Sequence, residues 1–368
     1  VQGLLEGGQG QMVEIKMLDN ALYEHDVKRV VSMELPWEQL RNSSVVIAGS
    51  TGLIGSFLVD VVMQANAIQN LRCKVYALGR SEAKARQRFG DYYGSEWFDF
   101  VSHDINRPMD PGLFGPVGYV VHLASNTHPV AYATDPIGTI SANILGTYNL
   151  LEFAAAKGAA RFAFASSNEI YGENRGDKEF FDEAYCGYID SNTLRAGYPE
   201  SKRCGQALCQ AFRRQKSLEV VIPRLTRSYG PTMLMSDTKA ISQFILKGVR
   251  GENIVMKSAG TQYYSYTYVA DAVSGLLTVL LCGSDGEAYN IADESSDIRL
   301  KDLAGLIAGM SGSEVIFEVP DDVESAGYSR TTKARLDGTK LKALGWRPMY
   351  GIREGLERTL NILKSNVL

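Results

Sequence analysis

The stretch Val45-Val46-Ile47-Ala48-Gly49-Ser50-Thr51-Gly52-Leu53-Ile54-Gly55 decides the fold. A short apolar run makes a buried strand, glycines recur at every third position, and an apolar-periodic segment continues as a helix. Strand, glycine turn and helix in this order form the setting of a dinucleotide-binding loop. Glycine lets the backbone approach a pyrophosphate, whose charge sits at the positive end of the helix.

Working outward, further short apolar runs stand at Lys74–Leu78, Phe98–Ser102, Tyr119–Ala124, Arg161–Ser166 and Val220–Leu225, with helix-like stretches between most of them. Short apolar strands alternating with helices predict a parallel sheet covered on both faces. The fold class is α/β, a doubly wound parallel sheet of the Rossmann type with six or seven strands. After Gly230 the pattern becomes mixed. Helical segments at Lys239–Gly248, Val269–Leu281, Leu300–Gly309 and Gly351–Lys364 alternate with strand-like pieces at Asn253–Met256 and Glu314–Glu318. The expected organisation is an N-terminal extension over 1–43, an NAD(P)-binding domain over 44–232, and a smaller, mainly substrate-binding part over 233–368 interleaved with it. The leading VQGLLEGGQGQM reads as a cloning remnant or a disordered lead-in, and Met12 to Leu40 as an added helical arm interrupted at Pro36.

Composition excludes several functions. The 368 residues carry 38 Lys+Arg against 42 Asp+Glu, a net charge of −4, with no clustered basic excess of the kind nucleic acid requires. No apolar run reaches the roughly 18 residues of a membrane span. The N-terminus lacks the charged-then-apolar pattern of a secretory signal. The five cysteines are odd in number and scattered, without a C-x-x-C, which opposes a disulfide framework or zinc site and favours a reducing, cytoplasmic location. The four histidines show no helical H-x-x-x-H pair, although His122 and His128 are near in sequence, and no metal is expected.

At the end of the second strand, Gly79-Arg80-Ser81 carries no acidic residue for the adenosine ribose. Arg80 could stack on adenine or accommodate a 2′-phosphate, which tilts the cofactor toward NADP. Asp104, just past the third strand, is placed to meet the adenine amine. Tyr198-Pro199-Glu200-Ser201-Lys202 sets a phenol and an ammonium on one helix face, where Lys202 would lower the phenol pKa and make Tyr198 a general base. Ser166-Ser167-Asn168-Glu169 ends another apolar run. Ser167 could hydrogen-bond a reacting oxygen, and Glu169 would stand at the carboxyl edge of the sheet, where open α/β sheets bind ligands. Arg224, Arg227, Lys239 and Arg299 are candidate contacts for pyrophosphate or carboxylate. The run Tyr263–Tyr268 alternates in strand fashion and reads as sheet packing.

Together the glycine triad, His122-Leu123-Ala124-Ser125, Asn143, Ser166-Ser167, the Tyr198/Lys202 pair and Tyr229-Gly230-Pro231 resemble the extended short-chain dehydrogenase/reductase family, over Ser44 to Leu363. Within it the chain is similar to the nucleotide-sugar epimerase/dehydratase branch and most of all to UDP-glucuronate decarboxylases. Arg195 through Arg203, Tyr229 through Asp237 and Ser242-Gln243-Phe244-Ile245 carry the narrower likeness. The resemblance implies NAD or NADP held by Gly49, Thr51, Gly52, Leu53, Ile54, Gly55, Arg80, Ser81, Asp104, Ile105, Leu123, Ala124, Ser125, Asn143, Ser166, Tyr198, Lys202 and Leu225. It implies a nucleotide sugar held by Thr127, Arg195, Arg227, Lys239, Tyr264 and Arg299. The implied catalytic set is Tyr198, Lys202, Ser167, Glu169 and Asn168.

The chain departs from the decarboxylases at three places: at Gly79-Arg80, which replaces an acidic residue, at Arg227, which replaces Asn, and at Tyr264, which replaces Arg. Dehydratases carry Asp where Asn168 stands. The implied activity is therefore oxidation at C4 to a 4-keto intermediate followed by decarboxylation. The alternatives, in order, are 4-epimerisation, 4,6-dehydration and NADPH-dependent carbonyl reduction. The resemblance also implies a homodimer paired through Ile137–Lys157 and Tyr198–Lys216, with Ala154, Ala155, Ala156 and Ala207 allowing close approach.

Overall fold

The computed structural model describes residues 16–127, 129–318 and 333–367. The glycine-rich lead-in, the start of the N-terminal arm and His128 lie outside them. The main sheet contains β1 (Ser44–Ala48), β2 (Lys74–Gly79), β3 (Phe98–Ser102), β4 (Tyr119–His122), β5 (Arg161–Phe164), β6 (Ser166–Ser167) and β7 (Val220–Leu225). Beyond them β8 (Arg227–Tyr229), β9 (Ile254–Met256) and β10 (Tyr263–Tyr268) precede β11 (Ala288–Ile291), which returns to the edge of the main sheet. The order across the sheet is β11-β7-β5-β4-β1-β2-β3, with β6 also on β7. All pairings in it are parallel. This is a Rossmann-type α/β sheet. The order in which strands are added switches sides between β1 and β4, which opens a crevice at their carboxyl ends.

Each strand is apolar because both sheet faces are covered; β1 and β4 are buried at every position. The expected strand at 161–166 is split. Ala165 still donates its N–H to His122 O at 3.1 Å, but its carbonyl is taken by Lys202 Nζ at 2.9 Å, and the strand breaks there. The covering helices include α1 (Ala21–Val31), α2 (Leu53–Gln69), α3 (Glu82–Phe89), α4 (Pro129–Thr134), α5 (Pro136–Ala156), α6 (Gly197–Lys216), α7 (Ala240–Arg250) and α8 (Val269–Cys282). β8 and β10 pair in parallel outside the main sheet. The tyrosine run forms β10, with Tyr264, Tyr266 and Tyr268 buried along one face.

The N-terminal arm is not an appendage. Asn20 caps α1 by accepting from the N–H groups of Leu22 and Tyr23. The helix buries Tyr23, Val27, Val30 and Val31 in the main core, at the helical spacing that defines one apolar face. Burial extends to charge. Tyr23 Oη donates to Asp60 at 2.5 Å. Asp26 is fully buried and accepts from Tyr268 Oη at 2.7 Å, Tyr350 Oη at 2.5 Å and Arg358 Nη2 at 2.6 Å. The sequence pattern exposed the helical period but not these partners, and those of Asp26 lie hundreds of residues away.

Replacing Asp26 by alanine leaves the Arg358 guanidinium without its carboxylate partner. The expected loss is about 3–5 kcal/mol of unfolding free energy, measured by denaturant titration. A loss below about 1 kcal/mol would mean that the cluster is only an exposed ion pair in effect.

Candidate active site

The glycine loop is built by close approach. Gly49 has φ +85°, and a Cβ there would lie 2.7 Å from Ala124 N. A Cβ on Gly55 would lie 2.2 Å from Gly49 O. Gly52 caps α2 without a side chain, so no cap hydrogen bond is made to the first N–H groups of the helix. These positions form a cradle that side chains would fill, and the residues present fit a dinucleotide pyrophosphate. Thr51, Leu53 and Ile54 complete the turn, with Leu53 O accepting from Thr232 Oγ1 at 2.7 Å.

Other expected cofactor residues prove to be occupied within the fold. Ser81 caps α3, its hydroxyl accepting from Lys84 N at 3.3 Å. Asp104 accepts from Asn106 N at 3.1 Å, and Ile105 packs under α5 against Gly146. Leu123 donates its N–H to Ala48 O at 2.8 Å, while Ala124 stands over Gly49. Asn143 is fully buried, accepting from Ser125 Oγ at 2.8 Å and donating to Ser201 Oγ at 2.9 Å. Ser201 in turn donates to Tyr198 O at 2.9 Å, so Asn143 fixes the start of α6. Ser166 Oγ accepts from Gln206 Nε2 at 2.7 Å. Arg80 is exposed after β2.

At the carboxyl edge Ser167 pairs in register with Leu225. Its hydroxyl accepts from Glu169 N at 3.2 Å, lies 3.4 Å from Asn168 Oδ1, and hydrogen-bonds Tyr198. Glu169 forms a 2.7 Å ion pair with Arg195. The Arg195 guanidinium lies 4.7 Å above the ring of Tyr132, which stacks on Tyr198 at 5.0 Å and 30°. The structure thus brings together Ser167, Asn168, Glu169, Arg195, Tyr198 and Lys202. It adds Tyr132, which sequence reasoning missed. An isolated tyrosine in a short helix carries no motif, and only the stack reveals it.

Burial raises the Tyr198 phenol well above its ordinary range and the Glu169 carboxylate adds to this, whereas the Ser167 bond and Arg195 pull it down. Lys202 is not the counterweight expected from Y-x-x-x-K. Its Nζ is bonded to Ala165 O and lies 5.9 Å from the Tyr198 ring. Burial pushes its own pKa down to about 7. A cation that is itself half discharged near neutrality has little field to lend.

The expected substrate contacts are dispersed. Thr127 is half-buried before α4. Lys239 is ion-paired to Asp237 at 2.7 Å. Arg299 is exposed, 5.3 Å from the Tyr263 ring centroid. Arg227 lies 3.4 Å from the ring centroid of Tyr264.

The model of the NAD dependent epimerase/dehydratase family matches residues 45–292, which span this loop and constellation. The chain belongs to that family. It is therefore an enzyme, and NAD is its cofactor; the NADP alternative raised by Gly79 and Arg80 gives way. Among relatives of the family, UDP-glucuronic acid decarboxylase 6 of Arabidopsis thaliana is 31% identical over 319 residues, 86% of this chain and 87% of that protein. UDP-glucuronic acid decarboxylase 1 of Xenopus tropicalis is 30% identical over 332 residues, 88% and 72% of the two chains. A solved structure of dTDP-glucose 4,6-dehydratase from Streptomyces venezuelae with NAD and TYD bound superposes with a TM-score of 0.74 at 25% identity, covering 88% of this chain and 97% of that one. No helix of the described residues is long and apolar enough to cross a membrane.

The discharged lysine has a measurable sign. The folded-state pKa of Lys202 is lowered to about 7 from 10.5, so the penalty for burying its charge is full below pH 7 and fades as pH rises toward 10.5. Lys202→Met should raise the melting temperature of the cofactor-free protein most below neutrality, by on the order of a few degrees. The gain should shrink with rising pH. Melting curves of both proteins across that range check it, and a pH-independent gain would mean that Lys202 titrates normally.

Proposed function

We propose that the enzyme oxidises a nucleotide sugar at C4 and then removes the C5 carboxyl as carbon dioxide, a UDP-glucuronate decarboxylase-like reaction. The observation that carries this reading is Glu169, held against Arg195 beside the Tyr198–Tyr132 stack. A carboxylate there serves chemistry beyond simple oxidation at C4. About 30% identity to decarboxylases over most of both chains supports it.

NAD, which the glycine loop and Lys202 would hold, would supply the hydride acceptor and donor for C4. Tyr198 takes the proton of the C4 hydroxyl, and Ser167, already bonded to Tyr198, orients that oxygen. Lys202 supports the same helix face and binds the nicotinamide ribose. The 4-keto group acidifies the neighbouring C5 position and stabilises the electron pair left when the C5 carboxyl departs. The enolate then takes at C5 a proton that Glu169 relays from solvent, while Asn168 hydrogen-bonds beside it and Arg195 keeps the Glu169 carboxylate in place. Thr127, Arg227, Lys239, Tyr264 and Arg299 form the substrate side, drawn mainly from 233–368. Tyr264 favours a second reading, 4-epimerisation, because a phenol cannot ion-pair a substrate carboxylate. The five unpaired cysteines support a cytoplasmic setting.

Purified enzyme incubated with UDP-glucuronate and NAD should lose carbon dioxide from the sugar, followed by mass spectrometry. Tyr198→Phe should lower the rate by about 10²–10⁴-fold, and Glu169→Gln should abolish decarboxylation while sparing substrate binding. An unchanged mass with inverted C4 stereochemistry would establish the epimerase instead.

We further propose that two copies pair through the outer faces of α5 and α6. Ile137, Leu145 and Tyr148 are 78%, 52% and 46% exposed along one stripe of α5, an unusual apolar display for a solvated helix. Ala154 faces the chain's own core, so close approach falls to Ala156 and Ala207. Leu145→Glu should convert a dimer to a monomer in light scattering; a dimer that persists puts the interface elsewhere.

A further inference from the structure

We propose that Arg227 is the anion receptor of the substrate site, gripping two oxygens of one anionic group of the nucleotide sugar, either the sugar carboxylate or the diphosphate. The proposal rests on the nucleotide-sugar reading above and names the residue that makes that reading specific.

Five cations are candidates for this role, and four are otherwise engaged or exposed. Arg195 is held by Glu169 and Lys239 by Asp237. Arg224 donates to Tyr171 Oη, Glu183 O and Gln206 Oε1. Arg299 is exposed. Arg224 also has a buried nitrogen, Nε, without a partner, but of the four that are not exposed the side chain of Arg227 alone makes no hydrogen bond or ion pair among the described residues. Its Nη1 is sealed from solvent and has no hydrogen-bond partner. Among the described residues no carboxylate pairs with it.

The location is as informative as the missing partner. β8 begins two residues past Leu225, the residue in register with Ser167, so Arg227 sits at the same carboxyl edge as the catalytic group. Its guanidinium lies 3.4 Å from the centroid of the buried Tyr264 ring. That contact uses the face of the guanidinium, which carries no N–H, and leaves the planar fork of donors unspent. Cation and ring hold each other, because a ring face attracts a desolvated cation. A buried guanidinium with unused donors costs free energy in the free chain. A pair of anionic oxygens in the plane of the fork would recover it. Tyr264 supplies no charge of its own, so it acts as the platform that aims Arg227.

The test uses the NAD-loaded enzyme and calorimetric titration with UDP, UDP-glucose and UDP-glucuronate. If Arg227 holds the sugar carboxylate, Arg227→Met should weaken UDP-glucuronate about 10–100-fold and leave the other two within about twofold. If it holds the diphosphate, all three should weaken by a similar factor. Arg227→Lys keeps the charge but loses the fork. It should fall between the wild type and Arg227→Met, and it serves alone if the methionine variant does not fold. Wild-type affinity for all three probes in both variants overturns the assignment while leaving the nucleotide-sugar reading intact. A wild-type enzyme that binds none of the three overturns that reading and this assignment with it.

Discussion

Every strand of the main sheet runs in one direction, and that constraint decides where chemistry can occur. Parallel strands deliver all their carboxyl ends to one edge, where the ladder stops and side chains meet without a covering helix. Gly49, Glu169 and Arg227 come from three distant stretches of sequence, yet each follows the end of a strand. The glycine loop marks the point at which this convergence is tightest. Gly49 passes so close to Ala124 that even a methyl group would collide with backbone. The loop and the strand beside it are therefore placed together, and neither can shift alone.

What was legible in the sequence was local. The glycine spacing, the apolar strands and the Tyr198/Lys202 helix face each lie within a dozen residues, and periodicity reads such windows well. The eighth piece of the sheet was not legible as part of it. β11 is an ordinary apolar run, and only its partner β7 makes it an edge strand. The site divides in the same way. Ser167, Glu169 and Tyr198 were recognisable by motif. The Glu169–Arg195 pair and the Tyr132 stack depend on contacts between separate helices and loops, which no spacing encodes. The hydrogen bonds that hold the expected cofactor residues in place were not legible either: the buried Asn143 amide is satisfied by Ser125 and Ser201, which lie far from it in sequence.

Burial also revises the electrostatics that motif logic suggests. A lysine four residues from a tyrosine on an exposed helix would act as a fixed positive charge. In this core burial lowers the Lys202 pKa to about 7, and burial, together with the charge Lys202 retains, lowers that of His122. The positive charge available to Tyr198 comes from Arg195, which cannot be neutralised at physiological pH.

The cluster around Asp26 has a temporal consequence. Its partners Tyr268 and Tyr350 lie 242 and 324 positions downstream. A chain emerging from the ribosome exposes the apolar face of α1 long before the residues that will neutralise Asp26 have been made. Contacts this distant in sequence slow folding, because a large loop must close before they form. Helix α1 can dock early on α2 through Tyr23 and Asp60, but its buried carboxylate is secured only once those downstream segments have been made and folded.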